Sequence, residues 1–254
     1  MKIARYIYKD QIHHGIVDGD SLRVLANSAL EDLTPGKDRV AMAEIRLLPP
    51  VSPSKIVCVG QNYPEHIAEL GVPLPKEPVI FLKPPSCLIA HGESIVYPPI
   101  AHRVDYEGEL AIVVKEKMSH VSRDEALRCV LGYSCFNDVT ERELAGKSPL
   151  LLTLAKSFDT FGPFGPYVVT DLDPDKLELK TYLNGRLMQH DSTASCVFDV
   201  RTILSFISRY ITLYPGDVVI TGTPKGVAPI KPGDQIEVEI EGIRRLSNEV
   251  VSAQ

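Results

Sequence analysis

Frequent prolines and glycines between short apolar runs constrain the fold of this chain more than any other feature. Twenty prolines and seventeen glycines are spread over 254 residues. Such spacing interrupts long helices and is typical of many short strands that are joined by turns. We therefore predict an α+β protein that is mainly β, in the form of a β-rich roll, and not a helical bundle.

The apolar pattern predicts individual strands and three helices. Short strands are predicted at residues 2–9 and, on both sides of an Asp18-Gly19 turn, within residues 14–25. Further strands are predicted at residues 55–60, 79–82, 93–98, 109–115, 166–170, 177–183, 217–221 and 235–241. Helices are predicted at residues 63–71, 122–133 and 198–211. Pro64 fits the first turn of the first helix and Gly71 fits its end, while Ser122 with Glu125, and Asp199, are expected to open the other two.

A proline-rich segment divides the chain. RLLPPVSPSK, residues 46–55, reads as a connector. It separates a small β-rich N-terminal module, residues 1–50, from a predicted catalytic domain, residues 51–254.

Charge and composition exclude several classes of function. The formal net charge is −6, whereas a nucleic-acid surface should be basic. No apolar run has the length of a signal peptide or a membrane span, so we expect a cytoplasmic protein that acts on neither membrane nor nucleic acid. The five cysteines form no CxxC pair, which favours reduced thiols over a zinc or redox site.

Three acids precede a strongly apolar strand in RVDYEGELAIVVKE. Asp105, Glu107 and Glu109 stand at alternate positions, so they share one face of a strand. One interpretation is a solvated strand face. The apolar run that follows and the intervening Gly108 instead favour a partly buried site, where the two glutamates can bind a hard cation such as Mg²⁺ or Mn²⁺.

Two further groups are candidates for chemistry. His66 and Glu69 are three residues apart on a predicted helix, so the carboxylate can orient the imidazole as a general base. The alternative is a surface histidine with a helical salt partner. Asp138 ends the apolar stretch VLGYSCFN and by spacing alone reads as part of a turn.

Eight segments, taken in order, resemble the fumarylacetoacetate hydrolase family. They are GQNYPEH, FLKPPS, DYEGELAIV, FNDVTERE, AKSFDTFGPFGP, NGRLMQ, STAS and ITGTPKGV. The similarity runs from about Lys55 to about Glu249, and the N-terminal module resembles a small extra domain of many members. The resemblance implies a mixed β-roll, a homodimer and a bound Mg²⁺ or Mn²⁺.

The resemblance also implies roles for single residues. The implied metal ligands are Glu107, Glu109 and Asp138, the catalytic residues are His66, Glu69 and Lys156, and the substrate-binding residues are Arg142 and Thr223. Asp105 is not an implied ligand and is expected to support the site from behind. Gln189 and Ser192 are weaker candidates, while Lys83 and Ser86 are interpreted as structural.

The implied substrate is a small 2-oxo acid. The His66–Glu69 pair favours hydrolysis of an acylpyruvate-type 2,4-dioxo acid through C–C bond cleavage. The alternatives are decarboxylation or isomerisation of 2-oxo-alkene-dioates of aromatic catabolism, decarboxylation of oxaloacetate, and the role of a non-catalytic metal-binding relative. Residues 71–78, GVPLPKEP, are a candidate lid or else a plain surface connection.

Overall fold

The computed structural model describes residues 1–28, 30 and 32–253. Residues 29 and 31 of the predicted N-terminal module and residue 254 of the predicted catalytic domain lie outside the described residues. The α-helices are α1 (Pro64–Leu70), α2 (Arg123–Ala126), α3 (Arg142–Lys147), α4 (Leu152–Lys156) and α5 (Val200–Tyr210), and short 3₁₀ turns lie at Met42–Glu44, Pro85–Cys87, Leu127–Cys129, Pro149–Leu151 and Thr193–Ser195.

The remaining regular structure consists of strands. They are β1 (Lys2–Tyr8), β2 (Gln11–Asp18), β3 (Ser21–Leu25), β4 (Pro35–Ala41), β5 (Arg46–Leu47), β6 (Ile56–Gly60), β7 (Val79–Lys83), β8 (Leu88–Ile89), β9 (Ile95–Tyr97), β10 (Val104–Asp105), β11 (Gly108–Val114), β12 (Val130–Asn137), β13 (Thr140–Glu141), β14 (Gly162–Val169), β15 (Glu178–Leu183), β16 (Arg186–Ser192), β17 (Val218–Ile220), β18 (Pro229–Ile230), β19 (Gln235–Ile240) and β20 (Leu246–Ser252).

The strands form one large mixed sheet and two smaller ones. The main path of the large sheet runs β4-β3-β2-β1-β14-β12-β11-β17-β6-β7. Its strands are antiparallel along this path except for the parallel pair β17 and β6. The smaller sheets run β13-β10-β18 and β16-β15-β19-β20-β9. The predicted architecture, α+β and mainly β, is confirmed.

Residues 1–50 extend the large sheet. Strands β1 to β4 follow one another as antiparallel neighbours, and β5 returns to pair with β1. The extension joins the rest of the chain where Lys2 faces Val169 and Ile3 faces Val168 in β14. The first fifty residues therefore share backbone hydrogen bonds with the following part of the chain.

Strand β11 is the buried centre of the large sheet. Leu110, Ile112 and Val114 pack into one apolar cluster, which includes α5 and the inner face of the five-stranded sheet. Ala111 and Val113 point to the other side, into a second cluster with strands β6, β17 and β14. Burial on both faces explains why this segment is continuously apolar instead of alternating.

Two of the predicted helices are confirmed. Helix α1 has Pro64 in its first turn and ends at Gly71, whose φ of 66° is easily reached only without a side chain. Helix α5 begins where Asp199 Oδ1 accepts a 2.7 Å hydrogen bond from Thr202 N. None of the helices within the described ranges is long and apolar enough to cross a membrane.

The prediction of a helix at residues 122–133 is wrong for the residues after Cys129. Ser122 and Glu125 do open a helix, with 2.6 Å between Ser122 Oγ and Glu125 Oε2, but it ends in the 3₁₀ turn Leu127–Cys129. From Val130 the chain is strand β12, which pairs with both β11 and β14. Pairing on two sides in a buried sheet outweighs the local helical preference. Strands β4, β16 and β20 were also not predicted, nor were the two-residue strands β5, β8, β10, β13 and β18.

Candidate active site

Antiparallel pairing brings three acidic residues to one edge of the large sheet. Strand β11 begins where β12 ends, and Gly108 faces Asn137 in the register. Asp138 therefore lies next to Glu107, and Asp138 N donates a 2.8 Å hydrogen bond to Glu107 O. The carboxylates of Glu107, Glu109 and Asp138 are buried, and each offers one oxygen within 4.8 Å of the others.

Two cations face Glu107. Lys156 Nζ lies 2.6 Å from Glu107 Oε2 and 2.5 Å from Asp138 Oδ2. Arg142 Nη2 donates a 2.5 Å hydrogen bond to Glu107 Oε1. Burial by itself would raise the pKa of Glu107, but Lys156 and Arg142 outweigh burial and lower the pKa to about 2. Glu107 is therefore a carboxylate at neutral pH.

Glu109 is in the opposite electrostatic situation. Its Oε2 accepts a 2.7 Å hydrogen bond from Gly222 N. Burial, together with the neighbouring charges of Asp138 and Glu107, raises the pKa of Glu109 well above its ordinary value. A third carboxylate at this position is unfavourable until a further positive charge compensates it.

Lys83 contributes a third cation that the sequence interpretation treated as structural. Its side chain is fully buried, and Nζ donates hydrogen bonds to Val139 O and Lys156 O. Nζ also lies 2.8 Å from Asp138 Oδ1. The orientation does not make a hydrogen bond, so Asp138 Oδ1 is a buried oxygen without a hydrogen-bond partner in the described residues.

These donors fit a hard divalent cation. The candidate ligands are all carboxylate oxygens, which Mg²⁺ and Mn²⁺ prefer. Asp138 Oδ1 faces Lys83 Nζ but accepts no hydrogen bond among the described residues, and buried Glu109 needs positive charge. The oxygens of Glu107 already accept hydrogen bonds, but each carboxylate oxygen has two lone pairs and can accept a further partner.

His66 of the predicted pair lines a cleft that also contains Glu107 and Glu109. His66 Nδ1 lies 3.1 Å from Glu69 Oε2, and Glu69 also accepts hydrogen bonds from Gly226 N. The cleft has a volume of about 570 Å³ including its mouth. It is lined by Val59, Gly60, Gln61, His66, Leu70, Val79, Phe81, Glu107, Glu109, Arg142, Leu152, Lys156, Gly222 and Thr223.

Thr223 lines the cleft, but its hydroxyl is already engaged. Thr223 Oγ1 donates to Gly108 O at 2.9 Å and accepts from Gln189 Nε2 at 2.8 Å. Gln189 Nε2 also donates to Pro224 O, and Gln189 Oε1 accepts from Gly108 N at 3.0 Å. The buried Gln189 thus connects the loop that contains Thr223 to Gly108 at the start of β11, between the two glutamates.

The structure separates other candidates from the cleft. Ser192 Oγ accepts a hydrogen bond from Ala194 N in the next turn, and Ser192 is not among the described residues that line the cleft. The prediction that Asp105, Glu107 and Glu109 lie on one strand is wrong, because β10 ends at Asp105 and β11 begins only at Gly108. Asp105 instead accepts a hydrogen bond from Arg142 Nε at 2.9 Å. Leu70 and Val79 flank the candidate lid at residues 71–78, and both line the cleft.

Asn62 is a supporting residue that the sequence interpretation missed. Its Oδ1 accepts from Phe198 N at 2.8 Å, and its Nδ2 donates to Thr221 O at 2.8 Å. It thereby fixes the loop after β6 beside the loop after β17, where both cleft walls begin. The available signal was a polar residue directly after a buried strand; its partners are more than 130 residues away in the chain.

The mixed sheet and buried carboxylates are those of a family of enzymes. Residues 55–251 match the family model described as fumarylacetoacetate (FAA) hydrolase C-terminal. Residues 1–50 match the model described as Rv2993c-like, N-terminal. This chain belongs to the fumarylacetoacetate hydrolase family, as its sequence motifs predicted.

Relatives of known sequence carry several names. Protein Rv2993c of Mycobacterium tuberculosis is 41% identical over 261 residues, covering 99% of this chain and 98% of the relative. A bovine protein named oxaloacetate tautomerase FAHD2B, mitochondrial, is 38% identical over 221 residues, which cover 82% of this chain and 70% of the relative.

Solved structures agree with the fold along the full length. A 5-carboxymethyl-2-hydroxymuconate delta-isomerase from Mycobacterium smegmatis has a TM-score of 0.93 and 37% identity, covering 100% of both chains. A fumarylacetoacetate hydrolase from psychrophilic Exiguobacterium antarcticum has a TM-score of 0.89 and 34% identity, also covering 100% of both chains. The chain is thus related to hydrolases, isomerases and a tautomerase.

Proposed function

We propose that this protein is a Mg²⁺- or Mn²⁺-dependent enzyme that hydrolyses acylpyruvate-type 2,4-dioxo acids at a C–C bond. The observation that carries the proposal is the shared cleft of two groups. One consists of the acids Glu107 and Glu109, and the other is His66, oriented by Glu69. Carboxylates alone would suit a metal-binding protein, whereas an oriented imidazole beside them suits proton transfer.

The contact with Glu69 defines what His66 can do. Because Nδ1 faces a carboxylate oxygen at 3.1 Å, we assign the imidazole proton to Nδ1. Nε2 then keeps its lone pair and can take a proton from a water molecule. Glu69 is itself held by Gly226 N, so the pair is fixed to the loop that forms the opposite cleft wall.

Charge in the cleft favours a dianionic ligand. Lys83, Arg142 and Lys156 equal the three carboxylates in number, although their ion pairs reach Glu107 and Asp138 and not Glu109, so a bound divalent cation would keep net positive charge for a ligand. A 2-oxo acid carries one negative charge on its carboxylate and gains a second when it becomes an enolate. When bound, the divalent cation supplies Lewis acidity that stabilises charge on substrate oxygens.

The cations have different proposed roles. Lys156 Nζ faces Glu107 and Asp138, so we assign it to holding and neutralising these carboxylates next to the reacting groups. Arg142 lines the cleft and uses Nε and Nη2 on Asp105 and Glu107, which leaves Nη1 for a substrate oxygen. Thr223 would contribute its backbone N–H, because its hydroxyl already donates to Gly108 O.

The apolar part of the cleft suits the acyl group. Leu70, Val79, Phe81 and Leu152 line it together with Val59. In the proposed reaction, water adds to the carbonyl carbon of the acyl group after His66 takes its proton. The bond between that carbon and C3 then breaks, so the acyl group becomes a carboxylic acid, and the pyruvate enolate takes up the proton that His66 holds to become pyruvate.

Isomerisation or decarboxylation of a 2-oxo-alkene-dioate is the second candidate. It is supported by the 37% identity, over the whole chain, to a structure named as a 5-carboxymethyl-2-hydroxymuconate delta-isomerase. These reactions need no attacking water. A purely metal-binding role is the remaining alternative, and the oriented His66 disfavours it.

A substrate panel tests the proposal. Purified protein with Mg²⁺ or Mn²⁺ is mixed with acetylpyruvate, oxaloacetate or a 2-hydroxyhepta-2,4-diene-1,7-dioate, and loss of enol absorbance is followed with product analysis. We expect pyruvate release from acetylpyruvate, its loss in EDTA, and a fall of about 100-fold or more in His66→Ala. His120→Ala, which changes an exposed histidine, should retain full activity.

Each other result has a distinct meaning. Turnover of the dienoate alone would favour the isomerase, and binding of metal without turnover of any of the three would favour the non-catalytic role. Full hydrolytic activity in His66→Ala would remove the proposed base. We further propose that the protein is a cytoplasmic homodimer with a module boundary near residue 50. Sedimentation tests the dimer, and limited proteolysis tests the boundary.

A further inference from the structure

A second groove adjoins the cleft and contains two arginines. It is lined by Arg103, Asp105, Arg142 and Val227, with the His66–Glu69 pair at its border. Leu70, His66 and Arg142 line both the groove and the cleft. A ligand that fills the cleft can therefore extend past Arg142 into the groove.

One buried carboxylate orients both guanidinium groups. Asp105 Oδ1 accepts from Arg103 Nε at 3.0 Å, and its Oδ2 accepts from Arg103 Nη2 at 3.1 Å and from Arg142 Nε at 2.9 Å. Asp105 is fully buried, so it holds the two arginines from beneath. This is a more specific role than the general support expected for Asp105.

The arginines keep unused donors. Arg103 uses Nε and Nη2, and Arg142 uses Nε and Nη2, so among the described residues neither Nη1 has an acceptor. The Arg103 side chain is 49% exposed and that of Arg142 is 24% exposed. Planar guanidinium groups with free donors are suited to binding a carboxylate.

The groove also has a net preference for anions. Asp105 balances only one of the two arginines, and Arg142 is further balanced by Glu107 on the side of the cleft. Glu69 is the other acid at the border, and its oxygens already face His66 and Gly226 N. Arg103 therefore presents the least compensated charge in the groove.

We infer that this groove binds a second, distal carboxylate of the substrate, and that Arg103 is a specificity-determining residue for dicarboxylic 2-oxo acids. The inference rests on the proposed function, because it assumes that the 2-oxo acid end occupies the cleft. It narrows the substrate class to diacids whose chain reaches from the cleft past Arg142.

A matched pair of substrates tests the inference. 2,4-Dioxoheptanedioate and 2,4-dioxoheptanoate differ only in a terminal carboxylate in place of a methyl group. We expect the wild-type protein with Mg²⁺ to favour the diacid in kcat/KM. Arg103→Gln should reduce kcat/KM for the diacid by about 10- to 100-fold, the range of a charge-assisted hydrogen bond. The same variant should change kcat/KM for the monoacid by less than about threefold.

Controls separate this effect from general damage. Arg103→Lys keeps the charge and should retain part of the preference. Arg46→Gln removes an exposed arginine that pairs with Glu93, and it should leave kcat/KM for both substrates unchanged. Any disturbance of Asp105 or Arg142 affects both substrates alike and cancels in their ratio, which is the quantity to compare.

The outcomes also separate this inference from the proposed hydrolysis. Equal wild-type kcat/KM for the two acids, or an equal loss for both in Arg103→Gln, overturns the distal subsite and leaves hydrolysis standing. If neither acid is turned over, calorimetric binding decides. Tighter binding of the diacid that Arg103→Gln abolishes supports the subsite without hydrolysis, and equal or absent binding overturns the subsite.

Discussion

Gln189 Nε2 donates a 2.8 Å hydrogen bond to Thr223 Oγ1. The bond is buried, and the two residues are 34 positions apart in the chain. The same buried amide accepts from Gly108 N through its oxygen. One side chain therefore fixes the distance between the start of β11, where the two glutamates lie, and the loop that contains Thr223. The geometry of the site depends on a residue that does not line it.

Replacing Gln189 with leucine should damage both stability and the site. The change leaves the buried Gly108 N and Pro224 O without partners. Each unsatisfied group costs about 1–3 kcal/mol, so we expect a loss of roughly 2–4 kcal/mol in the free energy of unfolding, measured by denaturant titration. Gln235→Leu, at an exposed amide bonded to Ser247, is the matched control. A change at Gln189 no larger than the control would contradict this role.

Gly108 is required because of Thr181. A Cβ at Gly108 would clash with Thr181 Oγ1, which is buried and has no hydrogen-bond partner in the described structure. We expect Gly108→Ala to destabilise the protein by about 1–3 kcal/mol through overpacking. Thr181→Ala should be much milder, since it removes an unpaired hydroxyl.

The double variant provides the decisive comparison for this pair. Gly108→Ala combined with Thr181→Ala should recover most of the stability lost by Gly108→Ala alone. A thermal-melting double-mutant cycle measures that coupling. Additive losses would mean that the clash with Thr181 is not the reason for glycine at this position.

Glu109→Gln should separate metal binding from stability. Because the pKa of Glu109 is raised in the folded protein, its charged form destabilises the fold at pH values above its ordinary pKa of about 4.3. In EDTA at pH 7 the variant should therefore melt higher than wild type, by roughly 2–4 °C for about 1 kcal/mol. This advantage should shrink as the pH falls toward 4.

Metal should reverse the order of the two proteins. Saturating Mn²⁺ should stabilise wild type by about 2.7 kcal/mol at a hundredfold excess over Kd, while Glu109→Gln should gain much less. Glu116→Gln, at an exposed acid beyond the other end of β11, should follow wild type in both conditions. An equal Mn²⁺-induced rise in Tm for all three proteins would contradict the assignment of Glu109 as a metal ligand.

Asp217 should contribute to stability above acidic pH. Its carboxylate is buried and accepts hydrogen bonds from Ser54, Lys55 and Tyr214, including 2.5 Å from Lys55 Nζ. Burial would raise the pKa of Asp217, but Lys55 and Ser54 outweigh burial and lower it. Its stabilisation is therefore complete above the unfolded value near 3.9 and is lost as the pH falls toward the lower folded value.

Asp217→Asn should consequently lose about 2–4 kcal/mol at pH 7, measured as the free energy of unfolding. The difference from wild type should diminish only below about pH 4. Asp173→Asn, at an exposed acid that pairs with Lys176, should cause little change. A constant difference between pH 7 and pH 3 would contradict the assigned charge.

Local chemistry made much of the fold predictable. The capping residues Pro64, Gly71 and Asp199 identified two helices because capping depends on a few neighbouring residues. The segment beginning at Val130 was misassigned as helix because its two strand partners are distant in the chain. Short apolar runs do not distinguish a buried strand from a helix by periodicity alone.

The site divides in the same way. The sequence alone determined that Glu107 and Glu109 share a face and that His66 and Glu69 share a helix turn, because these relationships follow from backbone repeat. Only the tertiary structure decided that Asp138 joins the glutamates, that Lys83 and Lys156 neutralise them, and that Arg103 and Arg142 share Asp105. Those contacts join residues from separate elements. Burial lowers the local dielectric and so strengthens the interactions between their charges, and neither effect can be read from sequence spacing.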